Sequence, residues 1–369
     1  MALPRDGMET GDGRNRATML GVTANCCDIL VIGGGPAGSA AAISAARAGA
    51  RVTLVERRSL PITKVCGEFL SGPGMDLWRS LTRRSPPAST PRIETVRFSA
   101  ARGRGSVICL RPLAWGISRA FLDGELLEAA RREGVDVRLE TALVSSRQGV
   151  GFTIARLRGN SCESVVHAGR LVLATGRPVT QSPRGWWIGR KALGEGPRLD
   201  ADLEMRLLDG GGYVGVSRIE DGRLSICALM RSGDDSWLSS SGVKLEGVER
   251  FGSVARFTLG LQVGPRDGAL RVGDAHAVWP PLVGDGVTAA LSAGVLLGGL
   301  LAARLAAKES LLEDEWRLAW NEAFGQKLAR ARWIHHALES RAGRSALFGL
   351  TRWAPSLGDW LSRSARITR

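Results

Sequence analysis

The chain is poor in aromatic residues. Phe, Trp and Tyr make up 5% of its 369 residues, and Tyr213 is its one tyrosine. That scarcity argues against a base-stacking face, so nucleic acid is not expected as a partner even though the formal net charge is +14. Cys26, Cys27, Cys66, Cys109, Cys162 and Cys227 form no CxxC and no zinc spacing. No metal is expected, and the thiols read as reduced, as in a cytoplasmic protein. Residues 1–25 lack the apolar core of a secretory signal. The uncharged run Val287 to Ala303 is 17 residues long, short of the roughly 20 that span a bilayer, and reads as a buried core helix. No internal repeat or low-complexity tract is present.

What is there is an ordinary globular composition, 44% hydrophobic and 23% charged. The positive charge is unevenly spread. Residues 327–369 hold nine Lys and Arg against Glu339 and Asp359, half of the net charge. Five of the eleven Trp (316, 320, 333, 353 and 360) follow position 310. Basic helices with Trp at their edge suit an anionic membrane face, and a solvated basic face covering the core is the plainer alternative.

Parallel strands open and close the chain. "DILVI" is an apolar run of the kind buried on both faces, "PAGSAAAISAARAG" a small-sided helix stopped by Gly49, and "RVTLVE" a second strand. "TVRFSA" and "SVICL" flank "ARGRG" as a hairpin, and "AFLDGELLEAARREG" is an amphipathic helix. "VDVRLE", "GFTIARL" and "GRLVLATG" are strands. "DADLEMRL", "GYVGVSRI" and "RLSICALM" follow as successive strands joined by Gly/Asp turns, suggesting a separate antiparallel sheet. "ALRVGD" returns to a short strand, and everything after 285 reads as helical.

Gly33-x-Gly35-x-x-Gly38 sits between the first strand and first helix. There Gly33 allows the tight turn, Gly35 lets backbone approach a pyrophosphate, and Gly38 lets helix lie close to sheet. Glu56 ends the second strand, where a carboxylate accepts from ribose hydroxyls and disfavours a 2′-phosphate. A second signature, "LRVGDAHAVWPPLVGDGVTAAL" (270–291), places Gly273-Asp274 after a strand and Gly284-Asp285-Gly286 before a long helix. An Asp there can bind a ribityl hydroxyl, and the helix start can face an isoalloxazine ring. An NAD dehydrogenase has no need of this second loop, so the pair of loops points to FAD.

With "KVCGEFLSGPG", "GISRAFLDGELLEAA", "RLVLATG" and "GGYVGVSRIEDGRLSIC" in order between them, the chain resembles the FAD-dependent oxidoreductases that include the p-hydroxybenzoate hydroxylase-like and geranylgeranyl reductase-like enzymes. No Trp-x-Trp-x-Ile-Pro is present, which argues against a tryptophan halogenase. The resemblance implies an α/β fold with a Rossmann-like (glutathione reductase-type) FAD-binding domain, an inserted antiparallel β-sheet substrate domain and C-terminal helices. The expected division is a disordered tail (1–25), a discontinuous FAD-binding domain (26–180 and 266–310), a substrate-domain sheet (181–265) and basic C-terminal helices (311–369). The hairpin at about 93–112 joins the substrate side. Gly33, Gly35, Pro36, Ala37, Gly38 and Glu56 are implied to hold the ADP half of FAD, with Arg57 beside them. Arg119 is implied near the pyrophosphate or ribityl chain and Asp274 on the ribityl chain. Gly284, Asp285, Gly286 and Val287 are implied at the pyrimidine edge, and Gly176 and Gly273 complete the set.

Chemistry beyond the cofactor is thinly signalled. Cys66, Glu68 and His276 are the catalytic candidates, Cys66 facing the ring, Glu68 as a proton donor and His276 as a general acid or base, each with a plainer structural reading: a small pocket filler, a solvated or Arg-paired acid and a loop or capping residue. Asp285 reads first as a helix N-cap. His335 and His336 read as solvent-facing, and Tyr213, Trp186 and Trp187 as cavity lining or core. The expected activity is a monooxygenase or hydroxylase acting on an apolar or aromatic small molecule, with NAD(P)H as transient reductant. A geranylgeranyl reductase-like ene-reductase or dehydrogenase on a lipid-like substrate is the alternative, and a non-catalytic flavin-binding electron carrier the second. The oligomeric state stays open. The expected location is cytoplasmic, with a peripheral membrane contact as the variant.

Overall fold

A computed structural model describes residues 25–100, 106–160, 162–178, 186–208, 211–231, 235–262, 264–340 and 342–343. The tail expected to be disordered and the far end of the basic C-terminal segment, with Trp353 and Trp360, lie outside those residues.

The chain opens with β1 (Asn25–Ile32), α1 (Pro36–Arg47) and β2 (Val52–Val55). Ile29, Leu30 and Val31 are at most 1% exposed, which is why an unbroken apolar run can serve as a strand here. Pro36 starts α1 with a preset φ and no wasted donor. β3 (Phe69–Leu70) and α2 (Gly72–Thr82) follow, then the antiparallel pair β4 (Arg92–Ala100) and β5 (Ser106–Gly116). α3 (Arg119–Arg132) is capped by Ser118, whose side chain accepts from the Phe121 N–H. Then come β6 (Asp136–Arg138), β7 (Ala142–Gln148), β8 (Thr153–Arg158) and β9 (Glu163–Leu173).

A second run of strands comprises β10 (Trp187–Glu195), β11 (Leu203–Leu207), β12 (Gly212–Arg218), β13 (Leu224–Met230) and β14 (Glu246–Phe257). The chain returns through the short strands β15 (Gly260–Leu261), β16 (Leu270–Arg271) and β17 (Ala277–Val278) to α4 (Gly286–Ala306). α5 (Glu313–Trp320), one π-helical turn over Asn321–Gly325 and α6 (Gln326–Glu339) complete the described chain.

Two large sheets result. The first runs β6-β2-β1-β9-β8-β7, with β16 also paired to β9. It is parallel around β1 and antiparallel at the β7–β9 end. The second runs β14-β10-β13-β12-β11-β4-β5-β3. It was expected to be antiparallel and is mixed, because β11 lies parallel to β4. The architecture is therefore mixed α/β. α4 meets the length and hydropathy of a membrane span, yet it lies against α1. A Cβ at Gly294 would come within 2.3 Å of the Ala37 carbonyl oxygen, and one at Gly298 within 2.5 Å of the Ala41 oxygen. The two backbones touch, as in a core helix pair.

Candidate functional site

A cavity of about 830 Å³ runs between the two sheets. Its first end is formed by the loop after β1. Gly33 has φ +112°, and a Cβ there would meet the Ala174 carbonyl oxygen at 2.3 Å. A Cβ at Gly38 would lie 2.0 Å from the Gly33 oxygen. α1 can press against the turn only because both positions lack side chains. The helix start has no side-chain cap and no acidic residue in its first turn, so its positive end stays available to an anion.

Two cations stand before that end. A Cβ on Gly35 would be 3.4 Å from Lys64 Nζ and 3.7 Å from Arg119 Nη2. Arg119 grips Asp123 through two bonds of 2.8 Å, and Lys64 Nζ lies 3.3 Å from the same carboxylate, which is fully buried. Burial alone would lower the Arg119 pKa, but Asp123 raises it, so the group stays charged. Two cations sharing one carboxylate leave net positive charge where phosphates would sit. Glu56 is 6% exposed and accepts from the Gly34 N–H at 2.9 Å and the Arg58 N–H at 3.1 Å. Its orientation is thereby fixed, with acceptor capacity left for hydroxyls.

Midway, the turn after β16 brings Asp274 to the cavity wall, where its Oδ2 accepts from Arg177 Nε at 2.8 Å. Gly284, Gly286 and Val287 line the same wall from the start of α4. Asp285 does stand at the N-cap position, but its side chain makes no cap bond. It is fully buried and accepts from Ser71 Oγ at 2.7 Å, and Ser71 Oγ lies 2.7 Å from Thr288 Oγ1. The expected capping role is corrected: the carboxylate ties the α2 start to α4 instead.

Cys66 lines the cavity from the loop after β2, with its Sγ accepting from the Glu68 N–H at 3.4 Å. Glu68 lies just behind. Its carboxylate contacts Lys191 Nζ of β10 and accepts from the Arg119 N–H at 3.1 Å. Both side chains of that ion pair are at most 1% exposed. His276 does not line the cavity. It is wedged 4.6 Å from the Trp320 ring and 5.9 Å from Trp316, and burial, with Arg317 and Arg271 nearby, lowers its pKa to about 4.

The second end of the cavity is apolar. Phe98, Ile108, Leu203, Met205 and Leu229 come from the second sheet, and Leu282, Ile334 and Leu338 close over them. Tyr213 lines this end and is 7% exposed. Trp187 is buried beside it in the same cluster without lining the cavity. His335 was expected to face solvent. It is instead 2% exposed and packed edge-on 5.1 Å from Trp187, because α6 turns that face inward with Ile334 and Leu338. His336 is exposed as expected.

The structure thus gathers Gly33, Gly35, Pro36, Ala37, Glu56, Arg57, Arg119, Gly176, Gly273, Asp274 and the Gly284 turn around one cavity. Gly38, Asp285, Glu68 and His276 stand behind its wall. Lys64, Asp123, Arg177 and Lys191 were not singled out in the sequence. Asp123 alone carried a local signal, lying four residues after Arg119 on one helix face. The glycine cradle, the uncapped helix start, the paired cations and the Glu56 carboxylate fit the ADP half of FAD. The wall midway along the cavity, with Asp274 and the Gly284 turn, suits its other half.

The chain was compared with known proteins. The family described as FAD dependent oxidoreductase matches residues 28–61. A menaquinone reductase of Mycobacterium tuberculosis is 28% identical over 338 residues, covering 78% of this chain and 80% of that protein. A digeranylgeranylglycerophospholipid reductase of Methanothrix thermoacetophila is 26% identical, covering 82% and 85%. Among solved structures, a geranylgeranyl bacteriochlorophyll reductase-like protein of Thermoplasma acidophilum superposes with a TM-score of 0.72 at 18% identity, covering 94% of each chain. The p-nitrophenol 4-monooxygenase of Pseudomonas putida gives 0.71 at 12%, covering 94% of this chain and 100% of that one.

Proposed function

We propose that the chain is an FAD-dependent oxidoreductase of the kind that includes the hydroxylases and geranylgeranyl reductases it resembles, and that it reduces a carbon–carbon double bond in a long apolar substrate. One observation carries this reading. The cavity end away from the nucleotide loop is walled by Phe98, Ile108, Leu203, Leu229, Leu282 and Ile334, and it is continuous with the end that suits FAD. A wall of that kind favours a chain with little polar surface. Two relatives that span most of this chain are named for reduction of lipid-like molecules. Hydroxylation, the activity the sequence favours, would use the same cavity, and the fold is common to both chemistries.

Bound FAD would supply the hydride, and NAD(P)H is the proposed reductant that restores it. The Gly33-to-Gly38 loop, Glu56 and Arg57 would hold the adenosine and phosphates, with Arg119 and Lys64 adding positive charge. Asp274 and the Gly284-to-Val287 turn would hold the rest, with Gly176 and Gly273 at the wall. Cys66 is the proposed proton donor to the second carbon, since its thiol faces the cavity and Glu68 and Arg119 fix its loop. Leu282, Ile334 and Leu338 would keep water out. α6 presents Arg330, Arg332 and Trp333 outward and Ile334 and Leu338 inward. That two-sidedness supports a peripheral contact with an anionic membrane on the cytoplasmic side, from which an apolar substrate would enter.

The test is anaerobic incubation of the dithionite-reduced holoprotein with a polyprenyl substrate, followed by mass spectrometry. The expected product carries two more hydrogens per reduced bond, and Cys66→Ala slows its formation. A product that appears only with oxygen and carries an added oxygen atom overturns reduction in favour of hydroxylation.

A further inference from the structure

Where the middle of the cavity meets its apolar end, two sets of hydrogen-bond donors have no partner among the described residues. Arg177 provides the first. Its Nε donates to Asp274 at 2.8 Å, and its guanidinium carbon lies 4.8 Å from the centre of the Phe257 ring. The group is held by one edge and one face. Nη1 and Nη2 have no hydrogen-bond partner among the described residues, and the side chain keeps 23% of its surface toward the cavity it lines. Tyr213 provides the second. It is 93% buried by the measure of its 7% exposure, lines the same cavity, and its hydroxyl has no partner among the described residues. Tyr213 and Phe257, the ring beneath Arg177, belong to one buried cluster. Burial raises the Tyr213 pKa well above that of a free phenol, so the hydroxyl stays a donor throughout the working pH range.

A ligand filling this cavity displaces water from both donors, and a purely apolar one would leave them unmet, at a greater cost for the charged group. Two such donors facing one cavity call for an acceptor brought by a ligand. The charge balance selects its kind. Arg177 is already neutralised by Asp274, so the site offers strong donors with no surplus charge. A phosphate would bury uncompensated negative charge there, whereas a neutral carbonyl oxygen accepts from both donors.

We propose that Arg177 and Tyr213 form a carbonyl-recognition subsite, so that the substrate joins its apolar chain to a neutral carbonyl-bearing head such as a quinone ring. The proposal rests on the reduction reading only for the chain, not for the head. It makes Arg177 and Tyr213 determinants of specificity.

The experiment uses the FAD-loaded protein and two probes of similar length: a 1,4-naphthoquinone carrying two isoprene units, and a hydrocarbon isoprenoid with no oxygen. Binding is followed by quenching of flavin fluorescence, alongside flavin content and midpoint potential. The parent protein is expected to bind the quinone about tenfold more tightly than the hydrocarbon. Tyr213→Phe and Arg177→Met should each remove about tenfold of quinone affinity while changing the hydrocarbon by less than about twofold. Tyr213→Phe keeps the ring and decides the matter alone if Arg177→Met does not fold. Equal binding of both probes, or equal losses on both, overturns the subsite. So does a change confined to flavin content or potential, which would assign the donors to the cofactor. Hydrogenation of both probes without preference would sink the subsite and leave the reductase reading intact. Selective quinone binding with no double bond reduced would do the reverse.

Discussion

The two ends of the cavity are built on opposite rules. The nucleotide end consists of missing side chains and fixed charge: Gly33 and Gly38 leave room that a Cβ would fill, and Lys64, Arg119, Asp123 and Glu56 hold one another in place. The apolar end consists of side-chain volume, with Tyr213 as its polar point and Arg177 where it meets the middle. Backbone shape and charge specify a ligand tightly and tolerate few alternatives. A wall of aliphatic groups specifies length and bulk, and changes in it redirect specificity more readily than they abolish binding. One end is thus suited to a resident cofactor and the other to a substrate.

The buried Glu68–Lys191 pair, behind the cavity wall, joins the loop after β2 to β10 of the second sheet, and breaking it should have the largest effect. Lys191→Met leaves the buried Glu68 carboxylate without its ion-pair partner, which costs about 3–5 kcal/mol of stability. The double variant Glu68→Gln/Lys191→Met should recover most of that loss. Urea denaturation of the three proteins checks this, and a double variant no better than the single one would show that the pair is not the join.

Acid should act on the apolar end next. Burial lowers the His335 pKa to about 4, against a free value near 6.5. Glu339 opposes that shift, and His336 and Arg231 add to it. The unfolded chain therefore binds more protons than the folded one between these values, so stability is full above pH about 6.5 and falls as pH drops toward about 4. The loss reaches at most about 3 kcal/mol for this residue. His276, lowered to about 4 by its own burial, shares the same window. His335→Phe should flatten the acid limb of a thermal-melt series, and an unchanged limb would place the titration elsewhere.

Legibility in the sequence follows the same division. Gly33-x-Gly35-x-x-Gly38 and Glu56 could be read because backbone geometry writes itself into local spacing, and Asp274 and Gly284 because each sits at a strand or helix end. β7, β10, β14 and α2 were not anticipated. β14 pairs with β10 through several register shifts, so its sequence carries no clean two-residue alternation to read. The parallel placing of β11 beside β4, about a hundred residues apart, is a long-range event with no local signature. Arg177, Lys191 and the inward face of His335 escaped for that reason: each acquires its meaning from a partner on another element. The basic count of the C-terminal helices was legible, but which of two adjacent histidines faces inward was not.

A change at the nucleotide end should cost cofactor and little else. Glu56→Ala removes the acceptor held by the Gly34 and Arg58 N–H groups and should weaken FAD binding by about thirtyfold. Flavin content after gel filtration checks it, and full retention would remove Glu56 from the cofactor site.

The smallest change falls on the other end and separates the two rules most cleanly. Gly215 lines the cavity from β12, and a Cβ there would stop 3.0 Å from Met205 Sδ, the movable part of a flexible side chain. Gly215→Leu should therefore be accommodated by Met205 and project into the substrate space. Flavin content should match the parent, and stability should change by less than about 1 kcal/mol. Long polyprenyl probes should lose affinity while short ones keep it, a shift of about tenfold in their ratio rather than a loss of function. If long and short probes weaken together, or if flavin leaves with them, the apolar end is not an independent ruler and the two ends form one site after all.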